Sequence, residues 1–215
     1  ITKNKCIAYK PNISFFEALG IDGLKSLEKI IAYINKHVPV ILDAKRGDIG
    51  NTSTMQATFI FEHLNADATS LHPYMGYDSL EPFFRYKDKF NFVLGLTSNP
   101  GSSNFQEQPC NNTDLSTAVI QKAIEWNSKH NNIGVVVGAT GEKLQHVRRL
   151  DPDMLFLIPG VGTQGGTYTH AYNKGKNSNN LALINVSRHI LYAASNKKEL
   201  EPAVLTAIKT TLNPV

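Results

Sequence analysis

Short apolar, β-branched runs alternate with helix-like runs along almost the whole chain, and this alternation limits the possible folds more than any other feature. Strand-like runs fall at residues 7–10, 38–42, 68–71, 92–96, 135–137, 155–158 and 181–186. Helical spacing links Leu24, Leu27, Ile30, Ile31 and Ile34. The capping-box pattern Ser14-Phe15-Phe16-Glu17 predicts that this helix opens near Ser14 and runs to about residue 36. Further helices are predicted over residues 52–64, with Met55, Phe59 and Ile60 on one side, and over 79–86 and 142–150. Leu115, Val119, Ala123 and Trp126 mark another, and two more are predicted from about residue 188 and over 199–212. Residues 99–113 and 163–180 read as polar loops. A strand covered by helices on both faces reads as a continuous apolar run. Strands alternating with helices therefore imply βαβ units and a parallel sheet.

The fold expected is α/β, a (β/α)8 TIM barrel, with residues 1–215 forming a single domain. Such a barrel closes on eight strands, whereas seven are read here and the chain opens almost at once in one of them. The expectation is that the N-terminal strand is missing from this sequence. No apolar stretch reaches the length of a membrane span, and Ile1-Thr2-Lys3-Asn4-Lys5-Cys6 carries no signal-peptide core. Cys6 and Cys110 are the only cysteines, which points to a reducing, cytoplasmic setting. The net charge of +4 suits an anionic ligand. The basic residues are scattered without interleaved aromatics, so no nucleic-acid partner is expected. No Cys/His cluster has metal-site spacing, and neither metal nor cofactor is expected.

The densest chemistry follows the second strand. Val40-Ile41-Leu42 leads into Asp43-Ala44-Lys45-Arg46-Gly47-Asp48, which places Asp-x-Lys-x-x-Asp at a strand end. Taken alone, that motif reads as a solvated turn. Its position after a buried strand, and Lys10 at the end of the preceding strand, favour a site. In parallel barrels the carboxyl ends of the strands build the active site. Those ends supply Lys10; Asp43, Lys45 and Asp48; His72; Thr97-Ser98-Asn99-Pro100; Gly138-Ala139-Thr140; Pro159 to Gly166; and Ser187-Arg188. Charges of opposite sign keep one another ionised, so a lysine between carboxylates is a positioned, protonated acid.

The last two strand ends bear on the ligand. Glycines let backbone N–H groups approach a phosphate closely, and a guanidinium fits its oxygens. Gly160, Gly162, Gly165 and Gly166 together with Arg188 favour phosphate over a plain turn and a surface cation. His72 reads as a structural histidine, Cys6 as core and Cys110 as loop. Tyr168, His170, Tyr172, Lys174 and Lys176 read equally as a lid over a phosphate or as a solvated connector.

Lys10, Asp43-x-Lys45-x-x-Asp48, Thr97-Ser98-Asn99-Pro100 and Pro159-Gly160-Val161-Gly162-x-Gln164-Gly165-Gly166 occur in an order that closely resembles the orotidine 5′-phosphate decarboxylases, in their bacterial-type second subgroup. The resemblance extends over nearly all 215 residues. It implies that Lys10, Asp43, Lys45 and Asp48 form the catalytic charge network. It implies that Asp48 and Thr52 reach a neighbouring subunit's site, giving a homodimer with shared active sites. Ser98 and Gln164 would bind the pyrimidine, Gln164 reaching the phosphate side as well; Gly165 would belong to the substrate-binding set, and Arg188 and the backbone near Ser187 would hold the 5′-phosphate. The family's first strand carries an aspartate that binds the ribose, and this sequence has no counterpart. The reaction implied is orotidine 5′-monophosphate to UMP and CO2, the last step of de novo UMP synthesis, without cofactor. Two other readings stay open: a Mg²⁺-dependent sugar-phosphate aldolase or decarboxylase of the same barrel type, and an inactive nucleotide-binding fragment.

Overall fold

Runs such as Val40-Ile41-Leu42 and Ile133-Gly134-Val135-Val136-Val137 have no polar face to offer water, and both are buried. The computed structural model describes residues 1–138, 142–161 and 167–212. They divide into two compact units, one of Lys5–Leu94 with Glu125–Gly134, the other of Ile1–Asn4, Gly95–Ile124 and Val135–Val215.

The first unit carries α1 (Ser14–Glu17), α2 (Gly20–Ile34), β1 (Ile41–Arg46), α3 (Gly50–Thr58), β2 (Ala68–Leu71), α4 (Glu81–Phe84) and the start of β3 (Phe90–Leu96). The strands are parallel: Ile41 lies opposite Ala68 and Leu42 opposite Thr69, while Ala68 to Leu71 pair in turn with Phe90 to Val93. Leu27 and Ile31 of α2, Phe83 and Phe84 of α4, and all of β2 are buried.

Four expectations change here. The predicted strand at residues 7–10 is reduced to isolated parallel bridges, Tyr9 with Val40 and Asn12 with Asp43. Pro11 has no N–H to extend the ladder, yet its carbonyl accepts the Asp43 N–H at 2.8 Å, so Lys10 still lies beside β1. The helix predicted from residue 14 to about 36 is two helices, because Gly20 takes a left-handed φ of +65°. At Gly23 a side chain would meet the Phe16 carbonyl oxygen at 2.0 Å, so the two helices cross closely. Ser14 does not cap α1: its N–H donates to Asn12 Oδ1 at 3.0 Å, while Glu17 pairs with Arg46 at 2.5 Å. In the third helix Met55 is exposed, and Ser53, Ala57, Ile60 and Phe61 make the buried side. That helix leaves α geometry at Phe59 for a π-helical turn to His63.

The second unit carries the end of β3, a hairpin of β4 (Pro109–Cys110) and β5 (Thr113–Asp114), and the first part of α5 (Leu115–His130). It continues through most of β6 (Ile133–Val137), α6 (Lys143–Leu150), β7 (Phe156–Ile158), α7 (Tyr168–Gly175), β8 (Leu183–Ile184), α8 (Arg188–Leu191) and α9 (Leu200–Leu212). β6, β7 and β8 are parallel, with Val135 opposite Phe156 and Leu157 opposite Leu183. At the end of β3 the Leu96 carbonyl accepts the Gly138 N–H at 2.9 Å. The hairpin lies inside a predicted loop and turns on Asn111, whose φ is +54°. Asp114 then caps α5 by accepting the Thr117 N–H at 2.7 Å.

Within the polar region 163–180, of which residues 163–166 lie outside the described residues, Tyr168–Gly175 form the helix α7 in place of a loop. Thr167 Oγ1 accepts the His170 N–H, and Gly175 lies so close to Ile158 that a side chain would meet its Cδ1 at 2.2 Å. Tyr168, His170, Tyr172 and Lys174 therefore belong to a helix packed on β7. Cys6 and Cys110 are free and half-buried, neither of them in the core. Among the described residues, no helix is long and apolar enough to cross a membrane.

Candidate active site

The charged motif sits where β1 loses its regular pairing with β2. Leu42 faces Thr69, but the next register pair is Arg46 with Leu71, so the intervening residues of β1 bulge. Bulges of this kind re-aim side chains at strand ends. Lys45 takes a φ of +45° there, a left-handed conformation that costs a non-glycine residue roughly 1 kcal/mol.

The bulge brings three charges together. Asp43 Oδ2 accepts from Lys10 Nζ at 2.6 Å, and Asp43 Oδ1 accepts from Lys45 Nζ at 2.7 Å. Asn12 Nδ2 approaches Oδ2 at 3.4 Å, and Ser70 Oγ donates to Oδ1 at 2.8 Å. The Asp43 side chain is 11% exposed and Lys10 16%, whereas Lys45 keeps 43% of its surface. Burial alone would raise the Asp43 pKa; the adjacent Lys10 and Lys45 ammonium groups outweigh it and bring the carboxyl to about 2. Near neutral pH the site thus presents an ionised carboxylate holding one enclosed cation and one cation open to solvent.

Asp48 lies apart from this trio. Its Oδ1 accepts the neighbouring Ile49 N–H at 2.8 Å, and among the described residues it forms no ion pair with Lys10 or Lys45. Thr52 is exposed on the first turn of α3. His72 is exposed at the end of β2.

The other predicted residues belong to the second unit. Ser98 follows β3 and abuts Gly138, where a side chain would come within 3.1 Å of Ser98 Cβ. Ser187 precedes α8, and Arg188 is its exposed first residue. Gln164 and Gly165 lie outside the described residues.

Sequence reading missed two features. Ser70 of β2 contacts Asp43 and the bulge, and only its place one strand over from the motif could have flagged it. Gln106 clasps the end of β3: its Oε1 accepts the Thr97 N–H at 2.7 Å and its Nε2 donates to Thr97 Oγ1 at 2.8 Å. That contact closes over a nine-residue separation that carries no local pattern.

A family model described as orotidine 5′-phosphate decarboxylase / HUMPS family matches residues 1–203. An orotidine 5′-phosphate decarboxylase of Christiangramia forsetii is 42% identical, covering 98% of this chain and 79% of that protein. The structure of Leishmania donovani OMP decarboxylase superposes with a TM-score of 0.85 at 40% identity, covering 95% of this chain and 80% of that one. Leishmania donovani UMP synthase gives a TM-score of 0.85 at 42% identity, with 95% of this chain matching 46% of that longer one. The α/β fold read from the sequence as a (β/α)8 barrel is the fold shared with these structures.

Proposed function

The chain belongs to the orotidine 5′-phosphate decarboxylase / HUMPS family, and from that premise we propose that it converts orotidine 5′-monophosphate to UMP and CO2. The observation that carries the reading is the Asp43 carboxylate clasped between Lys10 and Lys45 at the end of β1. Breaking the bond from C6 to the carboxylate leaves an electron pair in the ring plane, with no conjugated system to receive it. Catalysis then depends on electrostatics that the protein holds in place. The Lys45 ammonium, the more open of the two cations, stabilises the charge at C6 and delivers its proton there. It is reprotonated from solvent. Asp43, ionised throughout, lies beside the substrate carboxylate, and their repulsion is relieved as neutral CO2 departs. Lys10 fixes Asp43 from the enclosed side.

Residues 1–215 act in this reading as one catalytic domain, which the family match over 1–203 supports, and the setting is read as cytoplasmic from the two free cysteines. Ser98 and Gln164 bind the pyrimidine; Gly165, Ser187 and Arg188 take the 5′-phosphate. Asp48 and Thr52, exposed or half-exposed and unpaired with the trio, complete the site of a second copy in a homodimer. Mixing Asp48→Ala and Lys45→Ala subunits restores some activity if sites are shared; verified heterodimers without any recovery would reject the shared site.

A Mg²⁺-dependent sugar-phosphate enzyme needs carboxylates free for the ion, whereas both oxygens of Asp43 are occupied by ammonium groups. The deciding experiment follows absorbance on addition of orotidine 5′-monophosphate, with and without EDTA. Conversion to UMP unaffected by EDTA supports the decarboxylase. Absence of turnover by folded protein favours the nucleotide-binding fragment, and loss of activity in EDTA favours the metal-dependent enzyme.

A further inference from the structure

We propose that Ser70 is a positioning residue whose single buried hydroxyl sets both the Asp43 carboxylate and the left-handed backbone from which Lys45 reaches the substrate. The inference rests on the decarboxylase reading for its consequence in turnover, though not for its geometry. Ser70 is essentially sealed from solvent, at 1% exposure. A serine hydroxyl has one proton to give and two lone pairs to accept with. Here all three are used on the site. The proton goes to Asp43 Oδ1 at 2.8 Å, and the oxygen accepts the N–H groups of Ala44 and Lys45, each at 3.1 Å.

Those two N–H groups lie in the bulge, where β1 and β2 skip from Leu42–Thr69 to Arg46–Leu71. The hydroxyl stands in for the ladder acceptor that the bulge removes. Buried N–H groups left without an acceptor are strongly disfavoured, so Ser70 is what makes the bulge tenable. Lys45 at φ +45° belongs to the same bulge. One oxygen thereby fixes the direction of the proposed proton donor and the orientation of the carboxylate beside it. Asp43 Oδ1 receives Ser70 and Lys45 together, and Oδ2 receives Lys10, with Asn12 at its edge.

A neighbour supplies the control. Thr69 is also fully buried in β2 and also bonds across to β1, its Oγ1 donating to the Leu42 carbonyl at 3.0 Å. That contact lies before the bulge, in regular register. A role confined to holding the strands together predicts equal consequences for Ser70→Ala and Thr69→Val. A positioning role predicts different ones.

The experiment measures kcat for orotidine 5′-monophosphate, the Kd for UMP and the melting temperature for both variants and for Ser70→Thr. We expect Ser70→Ala to lower kcat by at least about tenfold with UMP affinity nearly unchanged. Thr69→Val should keep kcat near wild type, and Ser70→Thr, which retains the hydroxyl, should recover most of the loss. A second readout needs no turnover: ¹³C NMR titration of the Asp43 carboxyl, which faces Lys10 and Lys45. Its midpoint should rise in Ser70→Ala and stay in place in Thr69→Val. Where Ser70→Ala does not fold, Ser70→Cys, similar in size but a weak donor, replaces it. Equal loss of kcat in the Ser70 and Thr69 variants, or an unmoved Asp43 midpoint, overturns the proposal. Absence of decarboxylation by the wild type overturns the functional reading instead, and the titration still decides what Ser70 does to Asp43.

Discussion

Asp43 and Arg148 are both charges taken partly out of water, and they are held in opposite ways. Asp43 is held by other charges, Lys10 and Lys45, which outweigh its burial and lower its pKa to about 2. Arg148 is held mainly by neutral groups. Its Nη1 donates to the carbonyls of Asp151 and Met154 at 2.9 and 2.8 Å, and its Nη2 to that of Gly175 at 2.6 Å. Its guanidinium lies 3.6 Å from the centre of the Phe156 ring. Burial lowers its pKa to about 10, with Asp151 and Asp153 opposing, so it remains charged near neutrality. The difference separates chemistry from construction. A carboxylate held by two cations leaves one of them, Lys45, with an open end that can react. A guanidinium that ties α6 to the segments around β7 and α7 has both terminal nitrogens committed to backbone carbonyls of the fold.

Lys45→Ala should remove the reactive end of this arrangement. Decarboxylation should fall by at least about a thousandfold, with little change in melting temperature; turnover near wild type would remove Lys45 as proton donor. Arg148→Met should do the reverse. Three carbonyls lose their donor, so denaturant unfolding should show a loss of about 3 kcal/mol, while kcat of the folded fraction stays within about twofold.

Acid sharpens the contrast further. The folded pKa of Asp43 lies below its ordinary value of 3.8, so its contribution is complete above about pH 4 and disappears as pH falls through about 2. The shift corresponds to roughly 2 kcal/mol. Urea titrations of wild type and Asp43→Asn across this range should therefore converge by about that amount; a constant gap would mean that the ion pairs do not stabilise the fold. Arg188 represents a third kind of charge, exposed and proposed to meet the ligand. Arg188→Ala should lower kcat/KM by about tenfold or more, roughly 1.4 kcal/mol, with stability unchanged. A smaller effect would end its role at the phosphate.

Much of this was legible beforehand wherever the information is local. The strands at 68–71, 92–96 and 135–137 are apolar enough to declare themselves, and each is present with small boundary shifts. Asp43, Lys45 and Lys10 were legible because each ends or follows such a run. The misses share a cause. The helix Tyr168–Gly175 has a weak apolar stripe and depends on Gly175 fitting under Ile158. The hairpin at Pro109–Asp114 depends on a left-handed Asn111, and the break between α1 and α2 on a left-handed Gly20. A local propensity is too small to decide such segments against the packing around them.

The alternation of strands and helices, the strand end that carries Asp43-x-Lys45-x-x-Asp48, and the family resemblance borne out by the match over residues 1–203 are all written in the order of residues. The bulge of β1 after Leu42, the left-handed turn at Lys45 and the place of Ser70 beneath them emerge from strand pairing alone. Strand periodicity is written in neighbouring residues, because each side chain's burial follows from its own polarity. The partner of a buried N–H is not. Ser70 stands 25 residues from Lys45, and only the pairing of two strands brings its hydroxyl to the place where the backbone lacks an acceptor.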